Sequence, residues 1–381
     1  MVTRKDNPGY VRKIITAASE KDAAQLRQAL AISGGKVVKE LPLVQGFVCE
    51  FPAESEALIA VRDNPDSFTV EEDLNFKLCL WPGFFFYPPV PQQPPDQKEP
   101  LPPQVFPRQS VDWGIKRIGA PQVWNKLRER RIKVGIIDTG IDYFHPDLKE
   151  NIRDGISTLD GYPSYRDDYG HGTHVAGTIG ALNNPFGMVG INPYVDFYIV
   201  KAFDKKGNGK LSDIIEGMDW LMRRQVNVIN MSFSTSETNQ TFARVMDMAH
   251  NRGIVLVAAA GNDGGSDSVN YPARFPQVIA VSATDRQDNI AGFSSTGPEI
   301  DFCAPGVDIR STWINGGYKV SSGTSFAAPH ITGVVTDLLN YYGPMPPAQV
   351  KEMMARGTVI LEKLNREQQG HGMIELPRII K

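Results

Sequence analysis

Three stretches of this 381-residue chain hold residue types that could carry out nucleophilic chemistry together. Gly323-Thr324-Ser325-Phe326-Ala327-Ala328-Pro329-His330 delivers a serine from a small-residue turn into a helix-like run, FAAPHITGVVTDLLN. A serine at a helix N-terminus sits among unpaired backbone N–H groups and the positive end of the dipole, which favour developing negative charge. The N–H of Ser325 would help to hold an oxyanion formed where its own hydroxyl attacks a carbonyl. Pro329 falls in or just after the first helical turn, where a missing N–H costs little. On capping preference alone the same serine reads as an ordinary N-cap. RIKVGIIDTGID (131–142) reads as a buried parallel strand ending in Asp138 and a glycine-containing turn. Open α/β sheets place their sites at such carboxyl ends. DDYGHGTHVAGTIGAL (167–182) sets His171 at the start of a small-residue helix. Aspartate, histidine and serine in this order could form a triad: Ser325 attacks, His171 takes its proton, and Asp138 orients the imidazole. Asp142 lies close by and could also orient a histidine.

Hydrophobic periodicity supplies the elements that must position these residues. Strands at Lys133–Ile137, Asp196–Lys201, Val226–Met231, Ile254–Ala259 and Val278–Ser282 alternate with helices near Gly172–Ala181, Leu211–Arg223, Thr241–Asn251 and Ser325–Tyr342. That alternation predicts an α/β fold over residues 109–381, a mostly parallel sheet with helices on both faces. A last helix is expected from Pro346 onward. Residues 1–80 alternate as β-α-β-β-α-β, from RKIITAA to a final strand SFTVEEDLNFKL. This is the small ferredoxin-like α+β pattern, which by itself carries no function. Residues 81–108 join the two parts. Ten of the 26 residues from Pro82 to Pro107 are proline, so an extended, semi-rigid linker is expected. The FFFY cluster (Phe84–Tyr87) is unusual for a solvated linker.

Composition narrows the function classes. A net charge of −3 gives no reason to expect nucleic acid or an anionic membrane as partner. Apolar runs such as Ile254–Ala260 are far below a membrane span. The N-terminal MVTRKDNPGYVRK is basic without an apolar core and does not read as a signal peptide, which leaves a cytoplasmic location open. Cys49, Cys79 and Cys303 are odd in number and far apart, which argues against a disulfide framework. The H-x-x-H of His171 and His174 invites a zinc reading. However, zinc-protease helices use i, i+4 spacing with an intervening glutamate, and Gly172-Thr173 supplies none. His174 and His330 are expected to be packed and hydrogen-bonded. VGIIDTG and AAAGNDGG suggest a nucleotide-binding fold, yet neither forms G-x-G-x-x-G.

DTG around Asp138, HGTHVAGT from His171 and GTSFAAPH around Ser325 together resemble the three signature segments of the subtilisin family of serine proteases. VAAAGNDG (257–264) is similar to the segment carrying that family's side-chain oxyanion donor, here Asn262, although GND is also turn-prone. This order and this donor belong to the family's general description, so the roles are carried over with the resemblance. The DTG context selects Asp138 over Asp142.

The resemblance implies a serine endopeptidase acting on peptide or protein substrates, monomeric and, by family, extracellular. Residues 1–80 resemble the family's propeptide, a folding chaperone and intramolecular inhibitor whose tail, here VEEDLNFKL, lies in the cleft. A zymogen that cuts itself between Leu78 and Arg108 is expected. Ser232-Phe233-Ser234-Thr235 stands where the family has a Ser-Leu-Gly-Gly type edge, so Ser232 and Ser234 would bind extended peptide by strand addition, with Gly261 beside them. Asn270 falls where a glycine is common at the base of the main specificity pocket, so a smaller or more polar pocket is expected. The loop Leu182–Met188 and HPDL with Asp147 look like the family's high-affinity calcium loop. Gln109, Asp147 and Asn184, with the carbonyls of Leu182, Phe186 and Met188, would supply oxygens suited to calcium. A weaker cation site is expected at Glu299 and Asp301. The alternative is a catalytically silent or permanently inhibited binding protein on the same scaffold, against which the intact Asp138, His171, Ser325 and Asn262 speak.

Overall fold

A computed structural model describes residues 10–32, 35–52, 55–81 and 108–381. The extreme N-terminus and the proline-rich stretch with its FFFY cluster lie outside the described residues. The N-terminal elements are β1 (Tyr10–Ala17), α1 (Glu20–Ile32), β2 (Lys36–Leu41), β3 (Gly46–Pro52), α2 (Glu56–Arg62), β4 (Phe68–Glu72) and β5 (Asn75–Leu78). Strands β2-β3-β1-β4 form an antiparallel sheet in that order, the ferredoxin-like arrangement expected from the alternation. Side chains alternate across it. Ile15, Phe47 and Phe51 pack on Leu26, Leu30 and Leu58 of its own helices, while Ile14 and Val48 point the other way.

Downstream follow α3 (Trp113–Ile118), β6 (Ile132–Asp138), β7 (Ile152–Ser157), α4 (His171–Gly180), β8 (Val195–Lys201), β9 (Asn208–Lys210), α5 (Leu211–Arg223), β10 (Val228–Met231) and β11 (Phe233–Ser234). Then come α6 (Gln240–Asn251), β12 (Val255–Ala259), β13 (Val278–Thr284), β14 (Phe302–Pro305), β15 (Ile309–Trp313), β16 (Gly317–Ser321), α7 (Thr324–Tyr342), α8 (Pro347–Arg356), β17 (Thr358–Val359) and β18 (Met373–Ile374). The main sheet runs β17-β18-β14-β13-β12-β10-β6-β8-β7 and is parallel except at the β17–β18 edge. The α/β expectation holds. Strand β12 shows why both faces need helices: Val255, Val257 and Ala259 enter one core with α4 and α7, whereas Leu256 and Ala258 enter the other with α5 and α6. The chain builds outward on both sides of β6, so the carboxyl end of β6 is a topological switch point, and Asp138 stands there. Strands β7, β14, β17 and β18 and the β15–β16 hairpin were not anticipated: β14, β17 and β18 span only four, two and two residues, and β7 and β16 are incompletely buried and show no apolar run.

One expected element is divided. SFTVEEDLNFKL breaks into β4 and β5 at Asp73, whose carboxylate accepts from Ser212 N (2.8 Å) and Oγ (2.8 Å) at the start of α5 and from Arg12 Nε (2.7 Å). Leu211 N then donates to Leu74 O (2.9 Å), and the chain leaves its sheet. Strand β5 instead lies antiparallel between β9 and β11. Glu71 likewise accepts from Gln240 N (2.7 Å) and Thr241 N (3.1 Å) at the start of α6. Two acidic side chains thus meet two helix N-termini, where negative charge is favoured.

Candidate active site

The start of α7 organises the site. Ser325 is its second residue, and Pro329 lies inside the helix just after its first turn. The absent N–H of Pro329 leaves the Ser325 carbonyl without its i+4 donor. The hydroxyl of Ser232 takes that place at 2.9 Å, held in turn by Asn230 Nδ2 at 2.8 Å. The proline therefore frees an acceptor that ties α7 to the end of β10. His171 opens α4, whose ten residues are all buried, and its Nδ1 lies 2.7 and 2.9 Å from the two carboxylate oxygens of Asp138. Thr139 N donates to the same carboxylate at 2.7 Å. His171 Nε2 is buried and has no hydrogen-bond partner among the described residues. The Ser325 hydroxyl does not donate to it here; it donates to the carbonyl of Ser232 at 2.7 Å.

Asn262 is oriented by Thr324, whose N and Oγ1 donate to its Oδ1 at 3.0 and 2.8 Å. Its Nδ2 is buried without an acceptor among the described residues. Buried polar atoms are normally paired, so these two orphans, Nε2 and Nδ2, mark a place kept for another group. The structure brings Asp138, His171, Ser325 and Asn262 to this one place. Asp142 is elsewhere engaged, accepting from Phe144 N and Gly316 N. His174 Nε2 faces the carbonyls of Ile309 (3.0 Å) and Lys319 (3.2 Å), so the two histidines of H-x-x-H have separate partners. Burial lowers His174 to about 3 and His330, held at Phe326 O, to about 4.

A strand of the chain itself fills the cleft. Phe233 pairs with Leu78 and Ser234 with Lys77. Cys79 N donates to Ser232 O (3.3 Å), and Cys79 O accepts from Ser325 N (3.2 Å). Trp81 N donates to Ser322 O (2.9 Å), and its ring stacks on Phe293 at 5.3 Å. A Cβ on Gly323 would stand 2.4 Å from the Cys79 carbonyl, so only glycine admits the strand there. The Cys79 thiol is buried beside Ser234 and Thr324; burial pushes it up to about 12, against the pull of those hydroxyls. Asn270 donates to Asp263, and a Cβ on Gly261 would lie 2.8 Å from Asn270 Nδ2. Sequence reading named the tail but gave Cys79, Gly323 and Phe293 no part in seating it. Only the strand register, set by Asp73, identifies them.

The calcium-loop residues also converge. Gln109 Nε2 donates to Leu182 O (2.9 Å) and Asn184 Oδ1 (3.4 Å), and Asn184 Nδ2 to Asp147 Oδ1 (2.9 Å). Asp147 Oδ2 accepts from Met188 N (2.9 Å) and Tyr318 OH (2.7 Å), and Phe186 N donates to Asn184 Oδ1 (3.2 Å). Among the described residues no three His, Cys, Asp or Glu side chains form a metal-binding group. This loop offers one acid, two amides and backbone carbonyls. That oxygen set fits a hard cation, and a half-turn of the Gln109 amide would exchange its donor for an acceptor. The second expected cation site is not formed. Glu299 pairs with Arg274 (3.1 Å) and Asp301 with Lys351 (2.6 Å), so each carboxylate already has its cation.

A family model described as the Subtilase family matches residues 129–372. Minor extracellular protease Epr of Bacillus subtilis is 40% identical over 265 residues, covering 69% of this chain and 41% of that protein. Thermostable alkaline protease of Halalkalibacterium halodurans is 42% identical over 245 residues, 64% of this chain and 67% of that protein. Subtilisin BL of Lederbergia lenta is 44% identical over 226 residues, 59% of this chain and 82% of that protein. The chain thus spans about two fifths of the length of the first of these relatives. With the matched residues enclosing β6, α4 and α7, this chain belongs to the subtilase family of serine endopeptidases.

Proposed function

We propose that this chain hydrolyses peptide bonds through Ser325, His171 and Asp138 and is made as a self-processing zymogen. The reading is carried by one observation: His171 is held on Asp138 with its other nitrogen buried and unpartnered beside the start of α7. Ser325 Oγ turns from Ser232 O toward that nitrogen and adds to the substrate carbonyl carbon while His171 takes its proton. Asp138 holds the imidazole and stabilises its cation. The Ser325 N–H and Asn262 Nδ2 receive the oxyanion, both aimed in advance by backbone and by Thr324. His171 then protonates the leaving nitrogen, and water releases the acyl group by the same route in reverse.

In this reading residues 1–80 are the propeptide, intramolecular inhibitor and folding chaperone, 81–108 the linker and 109–381 the catalytic part, with the first cut between Leu78 and Arg108. Ser232, Ser234, Gly261 and Asn270 contact the substrate. Gln109, Asp147 and Asn184 with the carbonyls of Leu182, Phe186 and Met188 would hold calcium, and Gln109 would thereby be tied to the core. The relative named as an extracellular protease makes an extracellular setting part of the proposal. No helix among the described residues is long and apolar enough to cross a membrane. The test is a fluorophosphonate label on the wild type and on Ser325→Ala. Labelling of the wild type alone supports the reading, and an unlabelled wild type whose cleft has been emptied of its own strand returns the silent alternative.

A further inference from the structure

The strand in the cleft has a defined register, and the register singles out one peptide bond. Cys79 is the residue whose N–H and C=O both engage the site: its N–H goes to Ser232 O, and its carbonyl accepts the Ser325 N–H. Ser232 O also takes the Ser325 hydroxyl, so nucleophile and Cys79 backbone share one acceptor. On the far side the chain continues without a turn. Trp81 donates to Ser322 O and stacks on Phe293, which holds the leaving side in line. Cys79 is buried, 3% exposed as a residue, and its side chain lies beside the hydroxyls of Ser234 and Thr324. Thr324 Oγ1 accepts from Gly261 N (3.3 Å), and against Gly261 lies the amide of Asn270, bonded to Asp263. The Asp263 carboxylate also lies near enough to the Cys79 thiol for its charge to raise that thiol, which sets the Asn270–Asp263 pair on the side of the strand where the Cys79 side chain points.

We infer that Cys79–Leu80 is the bond this chain cuts in itself, and that Asn270 with Asp263 restricts cleavage to positions following small side chains. The inference rests on the protease reading above. In the step, Ser325 Oγ bonds to the Cys79 carbonyl carbon and its proton passes to His171. The C–N bond to Leu80 breaks as that proton reaches the Leu80 nitrogen. Water then hydrolyses the ester, leaving a carboxylate on Cys79 and regenerating Ser325. Asn270 acts here as a specificity-determining residue and takes no part in the bond-making step.

The experiment follows the full chain by intact mass and N-terminal sequencing, in the wild type, Ser325→Ala, Cys79→Ala, Cys79→Phe, and Cys79→Phe combined with Asn270→Gly. Expected are a new N-terminus at Leu80 in the wild type and Cys79→Ala, none in Ser325→Ala, and cutting slowed at least about tenfold in Cys79→Phe. The added Asn270→Gly restores cutting at Leu80, which a merely misfolded Cys79→Phe chain would not show. Peptide amides differing only in the residue before the cut give a second readout on the processed enzyme: alanine preferred over phenylalanine, with the preference shrinking at least about tenfold in Asn270→Gly. A wild-type N-terminus elsewhere, absent in Ser325→Ala, overturns the register and leaves the protease reading standing. An uncut wild type that still takes the fluorophosphonate does the same. Equal cleavage after alanine and phenylalanine, or no rescue by Asn270→Gly, overturns the pocket assignment. Trimming in Ser325→Ala, or an uncut wild type that takes no label, overturns both readings.

Discussion

The two larger sheets among the described residues cover their faces by different means. The main sheet has helices of its own on each side: α4 and α7 over one face, α5 and α6 over the other. The N-terminal sheet covers one face with α1 and α2, but Ile14, Leu41, Val44 and Val48 on its other face pack with Met218 and Phe242 of α5 and α6. A module of about 70 residues buries too little apolar surface for much stability alone. Its docking face is also ionic, with Lys39 beside Asp213, Glu216 and Thr158 O. The contacts that complete the small core are the ones that deliver β5 into the cleft. Folding of the module and occupation of the site therefore draw on the same residues.

The largest effect should come from the main-sheet half. Ser325→Ala should lower kcat by about 10⁶-fold, a value belonging to this family rather than to the geometry, with the melting temperature nearly unchanged. Hydrolysis of a peptide amide beside a thermal melt checks it. Asn262→Ala should lower kcat by about 100- to 1000-fold, again the family's range for such a donor, with KM little altered. Equal losses from Asn262→Ala and Asn262→Asp would fit an amide that donates; activity retained in either would remove Asn262 from the oxyanion site.

The docked half should respond to Asp73. Asp73→Ala strips a carboxylate from Arg12, Ser212 N and Ser212 Oγ, a loss of about 2 kcal/mol for hydrogen bonds to a charged group. A released N-terminal fragment carrying that change should inhibit the processed enzyme roughly 30-fold less well in a titration. Undiminished inhibition would mean that the apolar face alone holds the module. The last effect concerns pH and stability, through fully buried His330. Its folded pKa, lowered to about 4, lies below the ordinary 6.5, so its stabilisation is whole above pH 6.5 and is lost as pH falls toward 4. Between pH 7 and 5 this group removes about 2 kcal/mol, and His330→Gln should show a smaller fall in melting temperature over that interval.

Much of this was legible in the residues. Strands β6, β12 and β13 are buried on both faces, so their apolar runs stand out in the sequence and put Asp138 at a strand end. The start of α7 was legible from Gly323 onward. Pro329 stands where the sequence puts it, just after the first turn, but its missing N–H leaves the Ser325 carbonyl to a hydroxyl from Ser232, 93 residues earlier, which local reading could not supply. The expected pairing of Glu299 and Asp301 over a cation failed for a similar reason: sequence distance hid Arg274 and Lys351.

By itself the sequence determined the alternation of strands and helices, the residue types at the site and their order along the chain. These depend on periodicity and on local backbone chemistry, which act over a few residues. Only the tertiary structure decided that the expected last strand divides at Asp73, that Cys79 meets Ser325, and that the serine hydroxyl rests on Ser232 rather than His171. Each of those outcomes is a competition among partners far apart in sequence, and a donor's choice of acceptor is settled only when packing brings the rivals within about 3 Å.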